Sequence, residues 1–323
     1  MPTSGVSVAD RPLPSFPVHN GISKPDHPHV VFDVGMNNGD DSAYYLSQGF
    51  RVIAIEANPI LVEKARVRFE REIASGQLSI ECIAITEEIG KIPFWINEER
   101  TEFSSVLEER ARRNGMRCRR VEIEGSTFDT LLRRYGVPYY LKLDIEGAER
   151  FCLESLRSFP LPSFISVEAE SLEYLQLLWQ LGYREFAIVD QMRHNSNFPD
   201  FDNETVYARA AKRACWYADR FKNRFGQVTF PRGSSGPCGA DTRANWLAFE
   251  EVAYNWLHLH FGHSDRGTLN RSSWYDFHAR ARMPAEAIGR SARAVWSKES
   301  ANGPATYGKF DKEGITTERS RIR

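Results

Sequence analysis

The chain predicts an α/β fold with a doubly wound, mostly parallel sheet, and three observations predict it. Apolar runs rich in β-branched and aromatic residues recur at 30–34, 51–56, 139–143 and 164–168. Segments with helical spacing and capping residues alternate with them, the rhythm of a parallel sheet. Glycines or carboxylates then stand at the strand ends, where open α/β sheets bind ligands.

The elements follow in order. Strand 30–34 breaks into a glycine turn, and a short helix from about Asp41 is closed by Gly49. After strand 51–56, Asn58 caps a helix with Pro59 at its first position, a residue type suited to each place. Leu61, Ala65 and Phe69 give that helix one apolar face before it stops at Gly76. Strand 78–84 comes next, then strands 92–96 and 119–124 flanking a charged segment, 98–117, expected to be an exposed helix in preference to a substrate-gripping patch. A helix at 127–135, the buried strand 139–143, a helix at 147–158, strand 164–168, a helix at 171–181 capped by Gly182 and strand 183–190 complete the sheet.

Four regions are expected: a flexible Pro-rich arm at 1–28, a cofactor-binding domain at 29–190, a C-terminal α/loop extension packed on the core at 191–280, and a largely disordered tail at 281–323. The net charge of −1 gives no general attraction to nucleic acid or anionic membrane. Five dispersed cysteines without a C-x-x-C pair argue against a disulfide framework and a zinc ribbon, and point to the cytoplasm. No stretch is long and apolar enough to span a bilayer.

The turn Asp33-Val34-Gly35-Met36-Asn37-Asn38-Gly39 is the densest signal. Its glycines carry no Cβ to obstruct a ligand. Glu56, at the tip of the second strand, can accept hydrogen bonds from both hydroxyls of a ribose. A dinucleotide site wants G-x-G-x-x-G and a pyrophosphate at the helix N-terminus. Here Asp40 and Asp41 occupy that place; they repel a pyrophosphate and suit a sulfonium and an ammonium, so the ligand that fits is S-adenosylmethionine.

A second cluster, Leu141-Lys142-Leu143-Asp144-Ile145-Glu146-Gly147-Ala148-Glu149, sets carboxylates just past a buried strand. Glu146 and Glu149 also favour the positive end of the next helix. Together with Glu56-Ala57-Asn58-Pro59 and Thr127-Phe128-Asp129, these motifs resemble FkbM-type methyltransferases over about 30–190. The Ser-Gly-Pro run with Trp246 is similar to an extension in some bacterial members. The resemblance implies a Rossmann-like class I fold and transfer of a methyl group from S-adenosylmethionine to oxygen on a small molecule or sugar. It implies that Asp33, Gly35, Gly39 and Glu56 hold the cofactor and that Asp144 borders its methionine end and the acceptor. Asn37, Asp40 and Ala57, in the same turns, are added to the cofactor set.

Deprotonation of a hydroxyl needs a base within hydrogen-bond reach. Asp144, Glu168 and His194 are the candidates, with Ser104, Ser105, Glu146 and Glu170 expected along the acceptor. No metal is expected: His258, His260 and His263 close a helix, where the dipole alone favours them, and Asp144, Glu146, Glu149 and Glu168 can orient hydroxyls without magnesium. The competing readings are an amine or macromolecule methyltransferase and a catalytically silent nucleoside-binding module in a saccharide assembly complex.

Overall fold

A computed structural model describes residues 27–191, 194, 196, 224–225, 228–230, 234–242, 244–261 and 274–281. The tail expected at 281–323 lies outside this set apart from Ala281, as does nearly all of the arm. In chain order the elements are β1 (His27–Val34), α1 (Asp40–Ser47), β2 (Arg51–Ile55), α2 (Pro59–Arg68), α3 (Glu70–Ala74), β3 (Leu78–Glu81), β4 (Ala84–Ile85), β5 (Gly90–Asn97), α4 (Glu108–Ala111), β6 (Cys118–Ser126), α5 (Phe128–Tyr135), β7 (Pro138–Leu143), α6 (Glu149–Ser155), β8 (Phe164–Glu168), α7 (Leu172–Leu181), β9 (Glu185–Asp190), the hairpin β10 (Arg224–Phe225) and β11 (Val228–Thr229), α8 (Phe249–Phe261) and β12 (Tyr275–Arg280).

The main sheet runs β3-β2-β1-β7-β8-β12-β9. Pairs from β3 to β8 are parallel, and β12 is antiparallel to both its neighbours. The chain winds outward from β1 in one direction, then returns to start again at β7. Their C-terminal ends therefore open a crevice at the point where the strand order reverses.

Alternation along β1 divides the core. Val30, Phe32 and Val34 pack under α5, α6, α7 and α8, whereas Val31 joins Tyr44, Tyr45, Ala65 and Phe69 of the α1–α2 side. The expected caps are present, Asn58 Oδ1 accepting from the Ile60 N–H and Gly182 ending α7 at φ +116, and Ser171 Oγ, not foreseen in this role, accepts from the Glu173 N–H.

Several regions differ from the sequence reading. The 98–117 segment is no helix; 3₁₀ turns at Thr101–Phe103 and Arg113–Gly115 flank the four-residue α4. Buried Asn97 bends the chain there, its Oδ1 accepting from the N–H groups of Glu99 and Arg100 and its Nδ2 donating to the Ala111 carbonyl. Strand 78–84 likewise ends at Glu81, and Ala84–Ile85 pairs with β6 in a separate sheet of β4, β6 and β5.

A further difference is β12. Its residues were expected in an α/loop extension packed on the core; they form a strand that fills the gap between β8 and β9, with Phe277 opposite Val167 and Ile188. Phe277 and Ala279 have no exposed surface and complete the α7–α8 side of the core. The register explains why: β-branched and aromatic edges of β8 and β9 would otherwise face each other across an unpaired gap. No helix among the described residues is long and apolar enough to cross a membrane.

If β12 is an integral strand, Phe277→Ala costs about 3–5 kcal/mol, the usual range for emptying a buried aromatic site. Urea denaturation measures it, and a loss below about 1 kcal/mol, normal for a surface position, contradicts the assignment.

Candidate functional site

The crevice at the ends of β1, β2, β7 and β8 encloses about 330 Å³, within the range of cofactor pockets, roughly 300–1,000 Å³. Its base is an ion cluster. Lys142, 3% exposed, donates from Nζ to Asp33 Oδ1 at 3.2 Å and to the Gly35 carbonyl at 3.0 Å. The same ammonium lies 3.6 Å from Asp41 and 3.5 Å from Asp144. Burial alone would deprotonate such a lysine, but the three carboxylates hold its pKa well above the ordinary value.

One cation does not satisfy three acids. Burial pushes the Asp41 carboxyl up to about 7, with Lys142 opposing and Asp33 reinforcing the shift. Asp41 Oδ2 accepts from the Ser235 N–H at 3.2 Å, while its buried Oδ1 has no donor. Asp276 sits behind in the same condition: burial pushes it up to about 7, Gln191 donates to Oδ1, and Oδ2 has no donor.

Glu56 lines the other end of the crevice. Its two oxygens accept from the backbone N–H groups of Asn37 (2.8 Å) and Asn58 (2.7 Å), which fix the carboxylate despite its burial. Burial nevertheless raises its pKa. Asn37 reaches this bond through a left-handed conformation, φ +51, which asparagine tolerates better than most residues.

Of the residues expected from sequence, Gly35, Asn37, Asp40, Glu56, Ala57, Ser104, Asp144, Glu146 and Glu168 line the crevice together. Others stand behind it. Asp33 is fully buried between Ser42 Oγ (2.6 Å) and Lys142. Ser105 is a strut, its Oγ donating to the Glu146 carbonyl at 2.9 Å and accepting from the Leu107 N–H. Glu170 pairs with Arg110.

A side chain on either glycine of the turn would meet protein. At φ +87, a Cβ on Gly35 would lie 1.7 Å from the Asp144 carbonyl oxygen; on Gly39, at φ +80, it would meet the Phe69 ring at 2.6 Å. His194, expected in a surface loop as a possible base, is buried and does not line the crevice. Its Nε2 faces the Ser234 carbonyl and hydroxyl, its ring packs on Phe230, and burial lowers its pKa. The imidazole fills the space left by Gly236, where a Cβ would come within 2.3 Å.

Several lining residues were not singled out in the sequence reading. Arg100, Thr101 and Phe103 form one wall because the 98–117 segment folds over the crevice, and Gln191, Ser234 and Trp274 form another. Lys142 did carry a signal, as a lone cation inside an apolar strand. Beside them is an acidic group: burial and Asp144 push Glu146 up to about 8 against the opposing pull of Arg113, and burial with the same neighbours holds Glu168 well above the carboxylate range. Glu149 belongs to the fold, since its oxygens accept from the Ile145 and Gly147 N–H groups and the Tyr174 hydroxyl.

Residues 33–185, which hold the glycine turn, Glu56 and the Lys142 cluster, match the model of the methyltransferase FkbM domain. That stretch is an FkbM methyltransferase domain. No curated protein matches the chain. Among solved structures, an S-adenosylmethionine-dependent methyltransferase from Thiobacillus denitrificans, in complex with S-adenosyl-L-homocysteine, is 13% identical and aligns over 80% of this chain and 87% of its own at a TM-score of 0.30. A TehB-like S-adenosylmethionine-dependent methyltransferase from Corynebacterium glutamicum is 12% identical over 50% and 70% of the two chains, TM-score 0.28. Precorrin 8W decarboxylase from Methanobacterium thermoautotrophicum is 15% identical over 52% and 72%, TM-score 0.31. The walls formed by Gln191, Ser234 and Trp274 come from outside the FkbM domain.

Lys142→Met strips the buried acids of their cation and costs about 3–5 kcal/mol in chemical denaturation. The Asp41 carboxyl titrates near 3.8 when unfolded and near 7 when folded. Between those values the native state keeps a proton that the unfolded chain releases, so its contribution to stability declines as pH rises from about 4 to about 7 and is flat above. Asp276 titrates in the same window; Asp41→Asn therefore shows a shallower decline than the unaltered protein in denaturation curves taken across that range.

Proposed function

We propose that the crevice holds S-adenosylmethionine for methylation of a hydroxyl oxygen on a small-molecule or carbohydrate acceptor. The observation that carries the reading is the charge of the cluster: Asp33, Asp41 and Asp144 surround the single ammonium of Lys142, and a buried Asp41 oxygen has no donor. A ligand bearing an ammonium and a sulfonium supplies the missing positive charge. A pyrophosphate would add to the excess.

Glu56 suits the opposite end of the same ligand. Each of its oxygens holds one backbone N–H and keeps lone-pair capacity for a ribose hydroxyl. Ala57, Ile83, Ala84 and Ile85 offer the neighbouring apolar wall to an adenine ring. Gly35, Asn37 and Asp40 frame the passage from Glu56 to Lys142. When bound, the cofactor supplies a methyl group whose departure to a nucleophile leaves the electron pair on sulfur.

The protein's own part is to place the acceptor oxygen and receive its proton. Positioning of reactants accounts for a large share of such a barrier, up to about 7–11 kcal/mol in well-oriented systems. Asp144 stands at the tip of β7, its backbone N–H bonded to the Val34 carbonyl and its carboxylate 3.5 Å from Lys142. It is the group assigned to take the hydroxyl proton. Ser104 and Trp274, both lining the crevice, are assigned to the acceptor. The described cysteines Cys82, Cys118, Cys152 and Cys238 are free, which supports a reducing compartment and the cytoplasm as the setting.

Titration calorimetry with S-adenosylmethionine gives a measurable heat, and Glu56→Ala weakens binding by about tenfold or more, the loss of hydrogen bonds to a charged acceptor. Asp144→Ala keeps that heat but loses roughly a hundredfold or more of labelled methyl transfer to host glycolipid or polyketide extracts. Absence of any heat with the unaltered protein identifies a silent module instead.

A further inference from the structure

We propose that Glu146 and Glu168, which line the crevice, and Glu170 behind them bind one hard divalent cation, Mg²⁺ or Mn²⁺. One carboxylate oxygen from each of the three lies within 4.8 Å of the others. They arrive from two strand ends. Glu168 is the last residue of β8, Glu170 follows it, and Glu146 turns back over them from the loop after β7.

The second observation is Glu168 itself. Its Oε2 is buried and has no hydrogen-bond partner, while the carboxylates on either side are satisfied differently. Arg113 engages Glu146 through Oε2, and Arg110 engages Glu170 through Oε1. Each arginine engages a single oxygen of its glutamate. An unpaired buried carboxylate oxygen costs the full desolvation of that group, and neither arginine relieves Glu168.

The neighbouring acids do not compete for the role. Glu149 spends both oxygens on backbone N–H groups and Tyr174. Asp144 answers to Lys142. Glu146 is held in place by the Ser105 hydroxyl on its carbonyl, at φ +54. Three carboxylates and no nitrogen or sulfur select a hard cation. An octahedral ion bound by one oxygen from each keeps positions open for water and for acceptor oxygens, and so can grip a vicinal diol or an enediol-type acceptor. Use of the cation in catalysis rests on the methyl-transfer reading; its binding does not.

The test is Mn²⁺ titration of the full chain, stripped with a chelator and desalted, followed by the electron paramagnetic resonance of free Mn²⁺. One Mn²⁺ per chain is expected, competed by Mg²⁺. Glu168→Gln and Glu170→Gln each weaken it by at least about tenfold, since even indirect support of a metal site is worth that much. Asp129→Asn, a change at a residue paired with Arg133, leaves it unaltered, and thermal melts of all variants establish that they fold. Absence of stoichiometric Mn²⁺ binding in the unaltered protein, or binding unchanged in both glutamate variants, overturns the site. Calorimetry with S-adenosylmethionine in excess chelator separates the two readings, because heat there upholds the cofactor crevice even if no cation binds.

Discussion

A single ammonium, that of Lys142, ties together the first turn of the chain, the start of α1 and the tip of β7. It reaches Asp33 and the Gly35 carbonyl directly and holds Asp41 and Asp144 at ion-pair distance. Removing charges from water is expensive, and a buried cluster of this kind contributes to stability only when every member is satisfied. Here it is not, because three acids share one base. The deficit sits where the crevice opens, so the cluster is both the tie between two strands and a demand for a cationic ligand.

The close approach of β1 and β7 depends on the same place. Gly35 lies against the Asp144 carbonyl with no room for a Cβ, and the Asp144 N–H returns a bond to the Val34 carbonyl. The glycine turn is thus a packing device that brings the cluster together. Ligand access is a by-product of how tightly the two strand ends meet. Gly39 answers to Phe69 in the same manner, which makes the end of α2 part of the support for the turn.

How much of this was legible in the chain follows from the range of the forces involved. The strands β1, β2, β7 and β8, the Asn58 and Gly182 caps and the Glu56 tip were readable, because buried runs, Asn58 and Gly182 act on their immediate neighbours. Long-range partners were not. The segment 98–117 reads as a solvated helix by charge, but one buried side chain, Asn97, folds it over the crevice through contacts that no local pattern encodes. His194 looks like a polar loop residue and is instead seated beneath Gly236, 42 positions away. The placement of β12 likewise depends on which sheet edge is vacant, and six residues of mixed polarity do not announce that.

The position of β12 has a consequence for how the molecule is made. During synthesis on a ribosome the chain emerges from its first residue onward, and β8 and β9 leave long before Tyr275–Arg280 is translated. Until then their facing edges carry unpaired backbone groups, an invitation to pair wrongly or with another nascent chain. The sheet closes only by a late, sequence-distant insertion, of the kind that slows folding. A prematurely terminated product lacking the last fifty residues is therefore an open half-sheet rather than a smaller working protein, and quality control would meet it as such.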